Sequence, residues 1–220
     1  MSNIQGPFAD TSDMPRVHTM FRREFGLLPA LVDRVRAADR ARSRIVADHV
    51  EFLGQLLENH HQSEDESLWP KLLLRGHEEV APVVHLMESQ HQRLAANIAE
   101  VLTELGAWLV SAASERRETL GSALERLVPL LKEHMSLEEE RILPLAERYV
   151  TAAEWAEMVQ KGAARVRLDD IPLIMGMIMY DGGGEIGPPE VHALADAAPR
   201  AFASYAKRVH GTATPPRSAG

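Results

Sequence analysis

Four histidines and two glutamates in this chain stand in a pattern that can hold metal. His60-His-Gln-Ser-Glu64-Asp-Glu-Ser-Leu-Trp-Pro70 and His134-Met-Ser-Leu-Glu138-Glu-Glu-Arg-Ile-Leu-Pro144 share one plan: His, a Glu four later, two further acids, an apolar pair, and Pro ten after the His. A lone histidine precedes each segment on an apolar stripe, His18 lying 42 residues before His60 and His91 lying 43 before His134. Leu53, Leu56 and Leu57 match Leu127, Leu130 and Leu131 at the same offset of 74. The chain therefore reads as two similar helical hairpins, each offering one His and then His-x3-Glu.

Residues four apart lie one turn apart on a single helix face, so a His and a Glu at that spacing reach the same small region. Two hairpins packed face to face bring His18, His60, His91 and His134 together with Glu64 and Glu138. Two carboxylates can bridge two ions, and imidazole nitrogen with carboxylate oxygen suits iron, manganese or zinc. Buried carboxylates are costly without a compensating cation, which itself argues for metal. Any one of these histidines taken alone is more readily a surface or core residue. The matched offset, order and trailing proline are what single them out.

The remaining candidates read as ordinary. His61 points about 100° away from His60 around the helix and is assigned off the site. His49 precedes His60 by three turns, roughly 16 Å along the axis; it is expected to be structural, with a supporting or channel role as the alternative. His85 falls off the stripe, and His77, His192 and His210 read as helix-end or surface residues. Asp65, Glu66, Glu139 and Glu140 read as a solvated face. Met175, Met177 and Met179 read as packing that plugs the end of the bundle.

The elements that must carry these residues are helical. Apolar residues recur at three- and four-residue steps over about 17–38, 42–74, 78–110 and 115–149. Pro29 kinks the first helix, Pro70 bends the end of the second, and Gly76 closes it. Thr151-Ala-Ala-Glu154 is a capping box that opens a fifth helix. Asp181-Gly-Gly-Gly then breaks the chain, and Pro188–Pro189 starts a last helix ending near His210. Short connections between long helices predict an all-α, antiparallel up-down four-helix bundle with extra C-terminal helices. The expected divisions are an arm over 1–15, the four-helix domain over 16–150, an appendage over 151–210 and a disordered tail over 211–220.

This pattern resembles the hemerythrin-like proteins of the HHE cation-binding family, over about residues 16–150. The resemblance implies two iron ions with a bridging oxide or hydroxide, and O2, peroxide or nitric oxide as small ligands. It implies His18, His60, Glu64, His91, His134 and Glu138 as the ligands, and redox sensing or protection from oxidative or nitrosative stress as the role. Oxygen-storing hemerythrins carry a further histidine four residues from the one on helix three, where this chain has Met87 and Ala95. The ligand set so read is one short and more similar to bacterial di-iron proteins that repair iron centres, which favours reactivity over storage. The alternative is an iron-binding sensor or store with no turnover. Ferritin-like di-iron proteins fit less well, since they place Glu before His at a spacing of three.

Composition narrows the remaining classes. The absence of cysteine excludes disulfides, iron–sulfur clusters and thiolate zinc sites. A net charge of −8 without a basic stripe argues against nucleic acid. Met1–Ala9 lacks the features of a signal peptide, and the apolar stretch Ile171–Tyr180 is about half the length of a membrane span. The expectation is a cytoplasmic protein with no membrane contact; no protein partner is specified.

Overall fold

A computed structural model describes residues 6–182 and 195–217. The expectations placed on the His77 side chain, on His192 and on the helix start at Pro188–Pro189 lie outside the described residues. The described chain is helical: α1 Met14–Asp33, α2 Arg40–Ser67, α3 Trp69–Ser111, α4 Ser114–Arg141, α5 Leu143–Tyr149, α6 Ala152–Ala164, α7 Ile171–Met179 and, as α8, Ala198–His210. Among the described residues there is no strand, only an isolated bridge between Phe8 and Thr151.

The apolar stripes do what their spacing predicts. Phe21, Phe25, Leu28 and Val32 of α1 meet Val50, Leu53 and Leu57 of α2, Leu94, Ile98 and Leu105 of α3, and Leu120, Leu124 and Leu131 of α4 in one buried core. α1 packs on α2 and α4, and α3 packs on the same two, so the four long helices close a ring. The part of α3 from Glu78 to Ser111 is long and apolar enough by composition to cross a membrane. Its buried stripe here faces α2 and α4.

Two boundaries differ from the sequence reading, and they differ in the same way. α2 ends at Ser67, Leu68 makes the joint, and Trp69–Pro70 opens α3. α4 ends at Arg141, Ile142 makes the joint, and Leu143–Pro144 opens α5. The proline that trails each motif thus sits in a first helical turn, where its missing N–H costs nothing. Gly76 does not end a helix. It is a kink inside α3, with φ −113° and ψ 20°.

The C-terminal helices fold back onto the bundle. The capping box of α6 forms as read, with Thr151 Oγ1 accepting from the Glu154 N–H at 3.3 Å and Glu154 Oε2 accepting from the Thr151 N–H at 3.0 Å. Arg75 of α3 holds the same glutamate through two hydrogen bonds of 2.8 and 2.6 Å. α6 lies on α2, and α7 lies on α1 and α8. Met177, Ile178, Phe202 and Val209 join the main core. At Gly176 the α7 backbone approaches α8 so closely that a methyl group would overlap the Ala198 carbonyl.

Candidate metal centre

His18 comes from the first half of α1, His60 and Glu64 from the last turns of α2, His91 from the middle of α3, and His134 and Glu138 from the last turns of α4. All six converge. His18 and Glu138 are fully buried, and Glu64, His91 and His134 nearly so. His60 keeps 14% of its side chain exposed, the largest opening among them.

The ligand atoms fall into two adjoining groups. His18, His60, Glu64 and Glu138 make one, and His61, His91 and His134 make the other, with the atoms of each group within 4.8 Å of one another. The carboxylates lie between them. Glu64 is 3.2 Å from His60 Nε2 and 3.5 Å from His91 Nε2. Glu138 Oε2 is 3.4 Å from His18 Nε2 and 3.8 Å from His134 Nε2. His18 Nε2 and His60 Nε2 are 3.3 Å apart.

These spacings are long for hydrogen bonds to a carboxylate, which run about 2.7–2.9 Å. They suit donors that share an ion, because ligands about 2.0–2.2 Å from one metal sit roughly 3–3.5 Å apart. Both oxygens of Glu64 and of Glu138, and the Nε2 atoms of His61, His91 and His134, are buried without a hydrogen-bond partner among the described residues. So many orphaned polar atoms facing one space would be strongly destabilising if nothing bound them.

The outer nitrogens are satisfied at short range. His91 Nδ1 lies 2.7 Å from Asp65, His18 Nδ1 lies 2.8 Å from Glu139, and His134 Nδ1 lies 3.1 Å from the Gln90 side-chain oxygen. An Nδ1–H donated outward leaves the Nε2 lone pair facing inward, the tautomer a metal needs. Each acid directly follows a glutamate of the centre. Asp65 follows Glu64 and holds His91 of the second hairpin, while Glu139 follows Glu138 and holds His18 of the first. Both had read as solvated residues. Glu66 and Glu140 do pair at the surface, with Arg165 and Arg141.

The buried donors shift one another strongly: burial acts downward on His18, but Glu138 and Glu139 outweigh it and raise that imidazole. Burial, then the charge of His18, pushes the His60 imidazole down to about 3. Burial likewise takes His134 down to about 4 and His61 well below its ordinary range. Burial and the neighbouring Glu138 push Glu64 well above the usual carboxylate range. For Glu138, burial acts upward, but the charge of His18, 3.4 Å away, outweighs it and holds the carboxyl at about 2.

His61 is the residue that sequence reasoning misplaced. It stacks on His91 at 4.1 Å between ring centroids and meets His134 edge-on at 5.0 Å. Its splay of about 100° from His60 takes it out of one group of donors and into the next, since the two groups adjoin along the end of α2. It supplies a nitrogen that neither Met87 nor Ala95 can. One signal was available: the second motif has Met135 where the first has His61, so the repeat is uneven where the two groups differ.

Residues 10–146 match the hemerythrin HHE cation binding domain. The chain belongs to the hemerythrin HHE cation-binding family. No curated protein and no solved structure matches it. Metal binding is therefore the property this domain brings, and the His/Glu groups are chemically fit for it. Beside them lies a cavity of about 200 Å³, lined mainly by apolar side chains such as Met14, Val17, Phe21, Trp155 and Ile174, and floored by His60 and Glu64. α6 and α7, which follow the matched residues, supply one of its walls.

Proposed function

We propose that this hemerythrin-like chain is a non-haem di-iron protein that binds or reduces O2, peroxide or nitric oxide, in redox sensing or protection from oxidative or nitrosative stress. The scaffold would be an antiparallel up-down bundle. One ion would be held by His61, His91 and His134, the other by His18 and His60, with Glu64 and Glu138 between them and an oxide or hydroxide bridge. Bound iron supplies Lewis acidity and electrons to a small ligand.

The observation that carries this function is the unequal division of nitrogens. Three imidazoles serve one group and two the other, and the poorer group is the one that opens, through His60, onto the cavity. The protein's own part is then threefold. Asp65 and Glu139 fix the rings of His91 and His18. The apolar walls keep bulk water and large molecules away. The side-chain opening at His60 gives small ligands a route in.

The test is iron analysis with an optical spectrum of the aerobic protein, then azide titration and measurement of peroxide loss. Two irons per chain, a near-ultraviolet charge-transfer band, an azide-induced spectral change and peroxide consumption above that of free iron are the expected results. A single zinc per chain, or no response to azide or peroxide, would overturn the proposal.

A further inference from the structure

A third group of histidine and glutamate lies apart from the centre, where α8 meets α1 and α2. Glu24 belongs to α1, His49 to α2, and His210 is the last residue of α8, beyond the stretch that matches the family. Glu24 and His49 are fully buried, and the His210 side chain is 6% exposed. His210 had read as a surface residue from sequence.

The distances repeat the pattern of the main centre. Glu24 Oε2 is 3.4 Å from His49 Nε2 and 3.3 Å from His210 Nε2, and the three ligand atoms lie within 4.8 Å of one another. His49 Nε2 is buried with no hydrogen-bond partner among the described residues. Its other nitrogen, Nδ1, lies 3.0 Å from the Tyr205 hydroxyl, which can fix the tautomer that turns the Nε2 lone pair inward. An ordinary buried histidine–carboxylate pair would close to about 2.7–2.9 Å. Donors around a shared tetrahedral ion would stay about 3.4 Å apart.

The surroundings fit a cation as well. Glu24 Oε1 is already taken by Arg23 Nε at 2.8 Å, which leaves Oε2 for the two imidazoles. Arg23 also pairs with Asp181 and donates to the Met177 carbonyl at 2.7 Å, so its charge is answered locally. Arg42 donates to the Arg208 carbonyl at 2.8 Å and to that of Val209, which fixes the end of α8 and so presents His210.

We propose that Glu24 Oε2, His49 Nε2 and His210 Nε2 form a second, mononuclear site for a divalent transition cation of zinc type. Three protein donors leave the remaining tetrahedral position to water. The cation would tie the C-terminal helix to the bundle.

Zinc(II) is the probe. The full chain is stripped of metal, titrated with zinc and counted by native mass spectrometry, with circular dichroism to verify folding. Wild type is expected to bind one zinc more than either His210→Ala or Glu24→Gln, and both variants should keep the near-ultraviolet band of the iron-loaded protein. His134→Ala, which disturbs only the main centre, should keep the zinc equivalent that His210→Ala loses. Folded His210→Ala and Glu24→Gln proteins with the wild-type zinc count would overturn the proposal. Loss of the main iron spectrum together with that equivalent would also overturn it, by showing a structural cluster instead of a separate site.

Discussion

An imidazole has two nitrogens, and this centre depends on both. The inward Nε2 atoms face the carboxylates, while Asp65 and Glu139 grip the outer nitrogens of His91 and His18. Loss of such a partner typically weakens metal binding 10–100-fold, or about that range. Asp65→Ala and Glu139→Ala should therefore each lower iron affinity by about 10–100-fold, measured by competition with a chelator, without unfolding the protein. His61→Ala should lose iron from the three-imidazole side, whereas the exposed His85→Ala should lose none; metal analysis of both variants separates them. Protons add a further expectation. Glu64 titrates well above the ordinary range in the metal-free protein, so it holds a proton that a cation must displace. His60 and His134, at about 3 and about 4, are already unprotonated at neutral pH and release none. Iron affinity should then fall as pH drops through the raised Glu64 value, with protons released on binding, as titration calorimetry in buffers of unlike ionisation enthalpy will show. Affinity that stays unchanged as pH is lowered from neutral toward the ordinary carboxylate range would count against a shared carboxylate site. That His18, His60, Glu64, His91, His134 and Glu138 converge was legible in the sequence: a spacing of four marks one helix face for each His–Glu pair, and the matched apolar stripes and offsets marked His18 and His91. His61 was not, because that rule tests for one face and one ion, and this helix end serves two groups.

Periodicity located all four long helices, and the capping box located α6, because both signals are local. The joints at Leu68 and Ile142 escaped it because the apolar stripe runs on through them, into Leu72 in one case and Leu145 in the other. Only the prolines two residues later marked them, and a proline can equally bend a helix or begin one. α7 and α8 posed a different difficulty: their positions depend on where the backbone can approach. Gly176 permits the contact with Ala198. Gly176→Ala should destabilise the protein by about 1–3 kcal/mol through overpacking, read as a lower urea midpoint, and should loosen α8. A complementary change fills the cavity from the α7 side. Ile174→Trp should slow azide entry several-fold while iron content stays at the wild-type level, and an unchanged rate in stopped-flow mixing would place the ligand's path elsewhere.

Among the described residues, three buried apolar clusters and a polar centre share one helical frame. Metal held only by the folded state stabilises it, by about 2.7 kcal/mol when free metal stands at about 100 times Kd. Removing iron also leaves Glu64 and Glu138 buried without hydrogen bonds. A clearly lower melting temperature for the stripped protein is expected by calorimetry, and equal melting points would argue against a buried site. The crossed grip of Asp65 on His91 and of Glu139 on His18 reaches further than affinity. Neither hairpin owns a complete set of oriented donors; each borrows its finishing contact from the other. A hairpin mated with a copy of itself would satisfy the same crossed bonds, so the centre has the logic of a self-pairing unit, uneven where His61 stands against Met135. Fragments divided at Leu68 should accordingly find one another when iron is supplied, and neither fragment alone should retain the metal.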